Sequence, residues 1–242
     1  KLFMDIDISS AGCVPTTGSM QAGFAAFLVL NRLEEGKHKT LFLDPGFPAQ
    51  KMQLQALGMD YEGFDFADYR GEKLEAKLEE HLSTGEYATM LYSNPNNPTW
   101  MCLNEKELEI IGRVAKKYGV VVIEDLAYFG MDFRRDYSRP GEPPFQPTGA
   151  KYTDTYIIML STSKSFSYAG ERCAVMMVSD ALYESRHSAL KPYYTTDHFG
   201  KAMIYNILYD MTAGTSHSAQ YGVSAMLKTA NDGTHNFLDD VR

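Results

Sequence analysis

The sequence predicts an α/β fold of three layers, helix–sheet–helix, around a mainly parallel sheet. Three observations carry this. Short apolar runs alternate with amphipathic stretches along the chain. Several of the runs, such as "VVVIED" and "TYIIMLS", lack the polar–apolar alternation of a half-exposed strand, so both sheet faces should be covered. The 242 residues suffice for one large domain or two small ones with a real core.

Taken in order, "GSMQAGFAAFLVLNRLEE" has helical apolar spacing, and "KTLFLD" reads as a buried strand. "EKLEAKLEEHL" is a solvated amphipathic helix, followed by the strand "YATMLYS". The helix "NEKELEIIGRVAKKYG" leads into the strand "VVVIED". "SRPGEPPFQPTG" is an irregular loop and not a domain linker, because the strand–helix pattern resumes after it. "TYIIMLS" and "CAVMMVS" are two more buried strands, and helical pattern dominates from Asp180 onward. No internal repeat or low-complexity tract is visible.

Composition excludes several classes. A net charge of −8 disfavours broad nucleic-acid binding, which wants a basic surface. Cys13, Cys102 and Cys173 are odd in number and far apart, which argues against a disulfide framework or zinc knuckle and fits a reducing cytoplasm. "GFAAFLVL" is too short to span a bilayer, so no membrane association is expected, and no signal-peptide pattern is present. The histidines show no metal-ligand spacing, so no metal is expected. Lys1 is not an initiating methionine, which points to residues upstream.

In a parallel sheet, ligands gather beyond the carboxyl ends of the strands. Polar residues crowd there: Asn94 to Thr99 after "YATMLYS", Asp125 and Tyr128 after "VVVI", Ser161 and Lys164 after "TYIIML", and Thr16 to Ser19 before the first helix. Lys164 has three readings. "TSKS" ends like a P-loop but lacks its glycines. Ser161-Thr162-Ser163-Lys164 fits the S-x-x-K of serine acyl enzymes, but the accompanying S-D-N and K-T-G are broken as Ser179-Asp180-Ala181 and Lys228-Thr229-Ala230. A lysine near apolar strand ends, freed as an amine by desolvation, can instead form a Schiff base with pyridoxal phosphate. That cofactor needs a carboxylate at its ring nitrogen, for which Asp125 is suited, and donors at its phenolic oxygen, for which Tyr128 and Asn97 fit. Its phosphate wants a helix N-terminus and a guanidinium, here Gly18-Ser19-Met20 and Arg172. Phe47 is a candidate plate for ring stacking.

The order and spacing of these segments resemble the fold type I pyridoxal-phosphate enzymes, specifically the class I/II aminotransferases. "NPNNPTW" looks like their N-P-x-N-P-T-G segment, "EDLAYFGMDF" like D-x-x-Y, and "STSKSFSYAGER" like S-x-S-K-x-F…G-x-R. "TTGSMQAGF" resembles the phosphate-loop helix start and "DPGFP" the segment carrying the stacking aromatic. The resemblance covers Thr16 to Arg172 and implies the family's large domain, a three-layer αβα fold whose mainly parallel sheet is mixed. It implies amino transfer from an amino acid to a 2-oxo acid through a Schiff base on Lys164, which later shuttles a proton. Asp125 would pair with the pyridinium, and Tyr128 and Asn97 would bond the phenolic oxygen. Gly18, Ser19, Met20, Ser161 and Arg172 would hold the phosphate, and Phe47 would stack. A homodimer is implied as well. A lyase of the same fold and a cofactor-binding regulatory module are the alternatives.

Some positions depart from the pattern. Trp100 and Ala174 stand where glycines are usual, and Lys191 in "KPYYTT" stands where dicarboxylate-preferring members have arginine. Lysine lacks arginine's bidentate fork, which disfavours a strict aspartate or glutamate specialist. Residues 1–242 are therefore expected to be the cofactor-binding large domain, with the family's small C-terminal domain and N-terminal segment absent from the chain and the substrate-carboxylate arginine lying outside it.

Overall fold

A seven-stranded sheet organises the computed structural model, which describes residues 1–241. Its strands are β1 (Cys13–Thr16), β2 (Lys39–Asp44), β3 (Asp60–Asp65), β4 (Tyr87–Ser93), β5 (Val121–Leu126), β6 (Tyr156–Ser161) and β7 (Ala174–Val178). Their spatial order is β1-β7-β6-β5-β4-β2-β3. β7 runs antiparallel to both β1 and β6, and the pairs among β2 to β6 are parallel. The sheet is thus mixed and mainly parallel.

Both faces are covered, as the unbroken apolar strands require. Successive strand residues point to opposite faces. Met90, Val122 and Ile158 enter one apolar core, whereas Leu91, Ile123 and Ile157 enter the other. The first core is closed by α3 (Lys73–Leu82) and α4 (Glu105–Tyr118), through Leu74, Leu78, Leu82, Ile111 and Val114. The second is closed by α1 (Gly18–Leu30) and the later helices, with Phe27, Leu30, Phe199 and Met203 fully or almost fully buried. α2 (Pro48–Leu57) flanks α1. The short α5 (Thr162–Ser165) follows β6, and α6 (Asp180–Tyr183) follows β7. Beyond them the chain is broken into α7 (Lys191–Tyr194), α8 (Phe199–Met203), a π-turn (Ile204–Leu208), α9 (Tyr209–Thr212), α10 (His217–Asn231) and α11 (Phe237–Val241).

Element ends follow local chemistry. α4 starts with a capping box, in which Asn104 accepts from the Glu107 backbone and Glu107 accepts from the Asn104 backbone. It ends at Gly119, which takes the left-handed conformation at φ 62. Two strands and one helix lie outside the sequence expectation. β1 has four residues and contains Pro15. β3 is a sheet edge of mostly exposed residues, so it has no apolar run to reveal it. α2 buries only Gln50 and Leu54, too little for a helical apolar stripe. The irregular loop expected over Ser138 to Gly149 contains no strand or α-helix: bends and turns run from Arg139 to Pro144, and its last residue opens a short 3-10 turn (Gly149–Lys151). No helix among the described residues is long and apolar enough to cross a membrane.

Candidate active site

The carboxyl ends of β4, β5 and β6 and the start of α1 surround a cavity of about 280 Å³. Nine of the ten residues expected at the site line it: Ser19, Met20, Phe47, Asn97, Asp125, Tyr128, Ser161, Lys164 and Arg172. Gly18, the tenth, lies just behind. Its φ is +76, and a Cβ built there would fall 2.5 Å from the Arg172 guanidinium. Only glycine allows both that backbone and that approach.

Arg172 itself takes a left-handed turn (φ 50, ψ 49) that reverses the chain into β7, and it donates through Nη1 to the Ala169 carbonyl at 2.8 Å. The antiparallel return of β7 thus brings Arg172 back beside the Ser161 and Lys164 that follow β6. Facing them, α1 begins without a side-chain cap on Thr17 and without an acidic residue in its first turn. Its first N–H groups and positive dipole end are therefore open to an anion. Ser161 accepts from the Ser163 N–H at 3.2 Å, which leaves the Ser161 hydroxyl hydrogen to donate.

Across the cavity, Asp125 is the next-to-last residue of β5 and is buried. Gln50 Nε2 donates to its Oδ2 at 2.7 Å, and the Ala127 N–H donates to its Oδ1 at 3.0 Å. Burial pushes its carboxyl up to about 6, against the pull of those two donors. A cationic N–H arriving in the cavity would favour the ionised form further. Lys164 is exposed within the cavity and is not desolvated among apolar strand ends as the sequence argument expected. Asn97 is half-buried. Asn94 and Asn96 spend their side chains bracing the loop, Asn94 Oδ1 accepting from the Leu103 N–H and Asn96 Nδ2 donating to the Pro45 carbonyl, whereas Asn97 faces the cavity. Phe47 stands at the mouth, just before α2, and Tyr128 meets the ring of Trp100 edge to face at 5.1 Å.

Sequence reasoning missed Gln50, Ser93, Ser163 and Phe133, the ring that lies against Trp100, whereas Trp100 itself was expected to shape the pocket rim. Gln50 is 75 positions from Asp125, and only the pairing of the strands makes it a partner. Glu124, beside Asp125 in sequence, faces the other core, where Thr148 donates to it and burial pushes its carboxyl up to about 7. It takes no part in the cavity.

These residues supply one anion at the cavity floor, two cations, and an uncapped helix end. The donor set fits a flat heteroaromatic aldehyde bearing a phosphate. Among described residues no cluster of metal-ligating side chains occurs.

The sequence profile of aminotransferase class I and II matches residues 5–228. Glutamate-pyruvate aminotransferase AlaC of Escherichia coli is 29% identical over 185 residues, covering 74% of this chain and 41% of that protein. Nicotianamine aminotransferase 1 of Oryza sativa subsp. japonica is 25% identical, covering 72% of this chain and 33% of that protein. Among solved structures, a double mutant of the Thermus thermophilus aspartate aminotransferase superposes with a TM-score of 0.73 at 16% identity, covering 99% of this chain and 55% of that one. A PLP-bound C-S lyase from Staphylococcus hominis gives 0.58 at 19% identity, covering 86% of this chain and 50% of that one. The chain thus spans about half the length of the solved relatives and less of the curated ones, and the likeness of the structures is one of fold. Profile match, strand order and site segments agree, and the chain belongs to the class I and II aminotransferase family.

Proposed function

We infer that this chain is the cofactor-binding large domain of a longer pyridoxal-phosphate-dependent aminotransferase, which moves an amino group from an amino acid to a 2-oxo acid. The observation that carries the reading is the meeting of Lys164, Asp125, Asn97 and Arg172, from three separate segments, on one cavity. Bound pyridoxal phosphate would supply an electron-withdrawing ring conjugated to its aldehyde carbon. Asp125, held by Gln50 and Ala127, would keep a proton on the ring nitrogen. Arg172, Ser161 and the N–H groups of Gly18, Ser19 and Met20 would bind the phosphate. Tyr128 and Asn97 would donate to the phenolic oxygen, and Phe47 would cover a ring face. Lys164 Nζ would hold the aldehyde carbon until the amine of the substrate displaces it, and the amine so freed would stand ready to carry a proton away from and back to the substrate.

Further support is structural. Tyr193, Tyr205, Tyr209 and Tyr221 expose more than half of their surface on the C-terminal helices, which suits a homodimer. Lys191 and Arg186 both pair with Asp197, at 3.4 and 2.8 Å, so neither offers an uncommitted charge for a second substrate carboxylate. Cys13, Cys102 and Cys173 are free thiols, as a cytoplasmic location would have them. No observation favours the lyase or regulatory reading over amino transfer.

The test is reduction with borohydride after loading with pyridoxal phosphate. The pyridoxyl mass should appear on Lys164. A cofactor absorbance band that survives in Lys164→Ala would sink the assignment.

A further inference from the structure

Trp100 is the single tryptophan of the chain and adopts φ +61, a left-handed backbone that bulky side chains avoid. Its loop does not need an indole. The loop bonds of Trp100 come from its backbone: its N–H donates to the Asn96 carbonyl at 2.9 Å, and its own carbonyl accepts from Cys102 Sγ at 3.6 Å. Glycine would make both bonds without strain. An outlier that the local fold does not require points to what the side chain touches.

The indole meets the Tyr128 ring edge to face, with centroids 5.1 Å apart, and lies nearly parallel to Phe133, at 6.4 Å and 16°. Tyr128 lines the cavity. Trp100 and Phe133 are 44% and 51% exposed, and Trp100 adjoins the cavity through its contact with Tyr128. The cations lining the cavity are Lys164 and Arg172, which the cofactor reading commits to the aldehyde and the phosphate.

We propose that Trp100 and Phe133 form an aromatic wall of the substrate subsite, and that it selects amino donors with aromatic or large apolar side chains over dicarboxylic ones. The proposal rests on the cofactor reading above. Aromatic pairs of this kind are worth roughly a two- to tenfold binding preference.

The experiment measures dissociation constants of two non-reacting mimics, 3-phenylpropionate and succinate, by calorimetry on the cofactor-loaded full-length protein. The native protein should prefer 3-phenylpropionate. Trp100→Gly should weaken that ligand about fivefold and leave succinate unchanged. Its melting midpoint should not fall, because glycine relieves the left-handed strain. Phe133→Leu should reduce the same preference, and it carries the test should Trp100→Gly not fold. A native preference for succinate, an unchanged ratio in the variants, or an equal loss for both ligands overturns the wall. Borohydride labelling of Lys164 in native and variant protein reads the premise separately. Its absence from both overturns the cofactor reading and this proposal with it, whereas labelling with an unchanged ratio overturns the wall alone.

Discussion

Two neighbouring carboxyls on one strand show how burial sets charge residue by residue. Asp125 rises from an ordinary 3.8 to about 6 and Glu124 from 4.5 to about 7, both chiefly because the core strips them of water. An acid whose pKa rises on folding holds its proton more tightly in the native state. Its contribution to stability is present below the unfolded pKa and is lost as pH climbs through the folded one. Asp125 would recover that loss from a bound ring N–H, but Glu124 has no such partner in the cavity. Glu124→Gln keeps an oxygen to accept from Thr148 and removes the ionisation. The variant should gain stability over the native protein by roughly 2 kcal/mol at pH 8, with the gain shrinking toward zero below pH 4.5. Denaturant unfolding at the two pH values checks this, and an equal gain at both would contradict it. Legibility divides along the same line. Asp125, Lys164 and Asn97 announced themselves by following apolar runs, whereas the bond from Gln50 and the packing of Phe133 on Trp100 exist only once distant segments meet.

At the scale of elements, the helix that covers the sheet opposite α1 is anchored at its first turn. Glu107 in α4 is almost fully buried, yet it takes two N–H bonds from Arg70, at 2.5 and 2.7 Å, and others from the Asn104 and Gly71 backbones. Burial alone would raise its carboxyl, but the Arg70 guanidinium and the backbone donors outweigh it and hold the pKa below the ordinary value. Truncating Arg70 to alanine would strand a buried carboxylate and should cost about 3 kcal/mol. Chemical unfolding of Arg70→Ala should show that loss, and Arg70→Lys, a cation without the fork, should recover only part of it. The elements easiest to read from sequence were those with one clear environment. β2, β4, β5 and β6 are buried on both faces, and α4 carries both its caps in sequence. β3 was hidden because its contacts are polar: Lys39 and Tyr87 both donate to Glu62.

For the whole molecule, the fold class was legible because parallel strands need cover on both faces, and that demand writes itself into every central strand. The fragmentation after β7 was not, since it depends on the left-handed residues Thr195 and Ala213 and on the π-turn between α8 and α9. One feature binds the site to the stability of the entire chain. The open first turn of α1, with Arg172 set against Gly18, exists only in the folded state, and the proposed phosphate role makes it an anion cup. Mass action then links folding to buffer composition. Inorganic phosphate at ten times its dissociation constant should stabilise the cofactor-free protein by about 1.4 kcal/mol, seen as a rise in melting midpoint that chloride at equal ionic strength does not reproduce. Arg172→Ala should abolish the rise. A stability measured in phosphate buffer is therefore partly a binding measurement, and an unloaded preparation kept in phosphate will outlast one kept in a buffer of weakly coordinating anions.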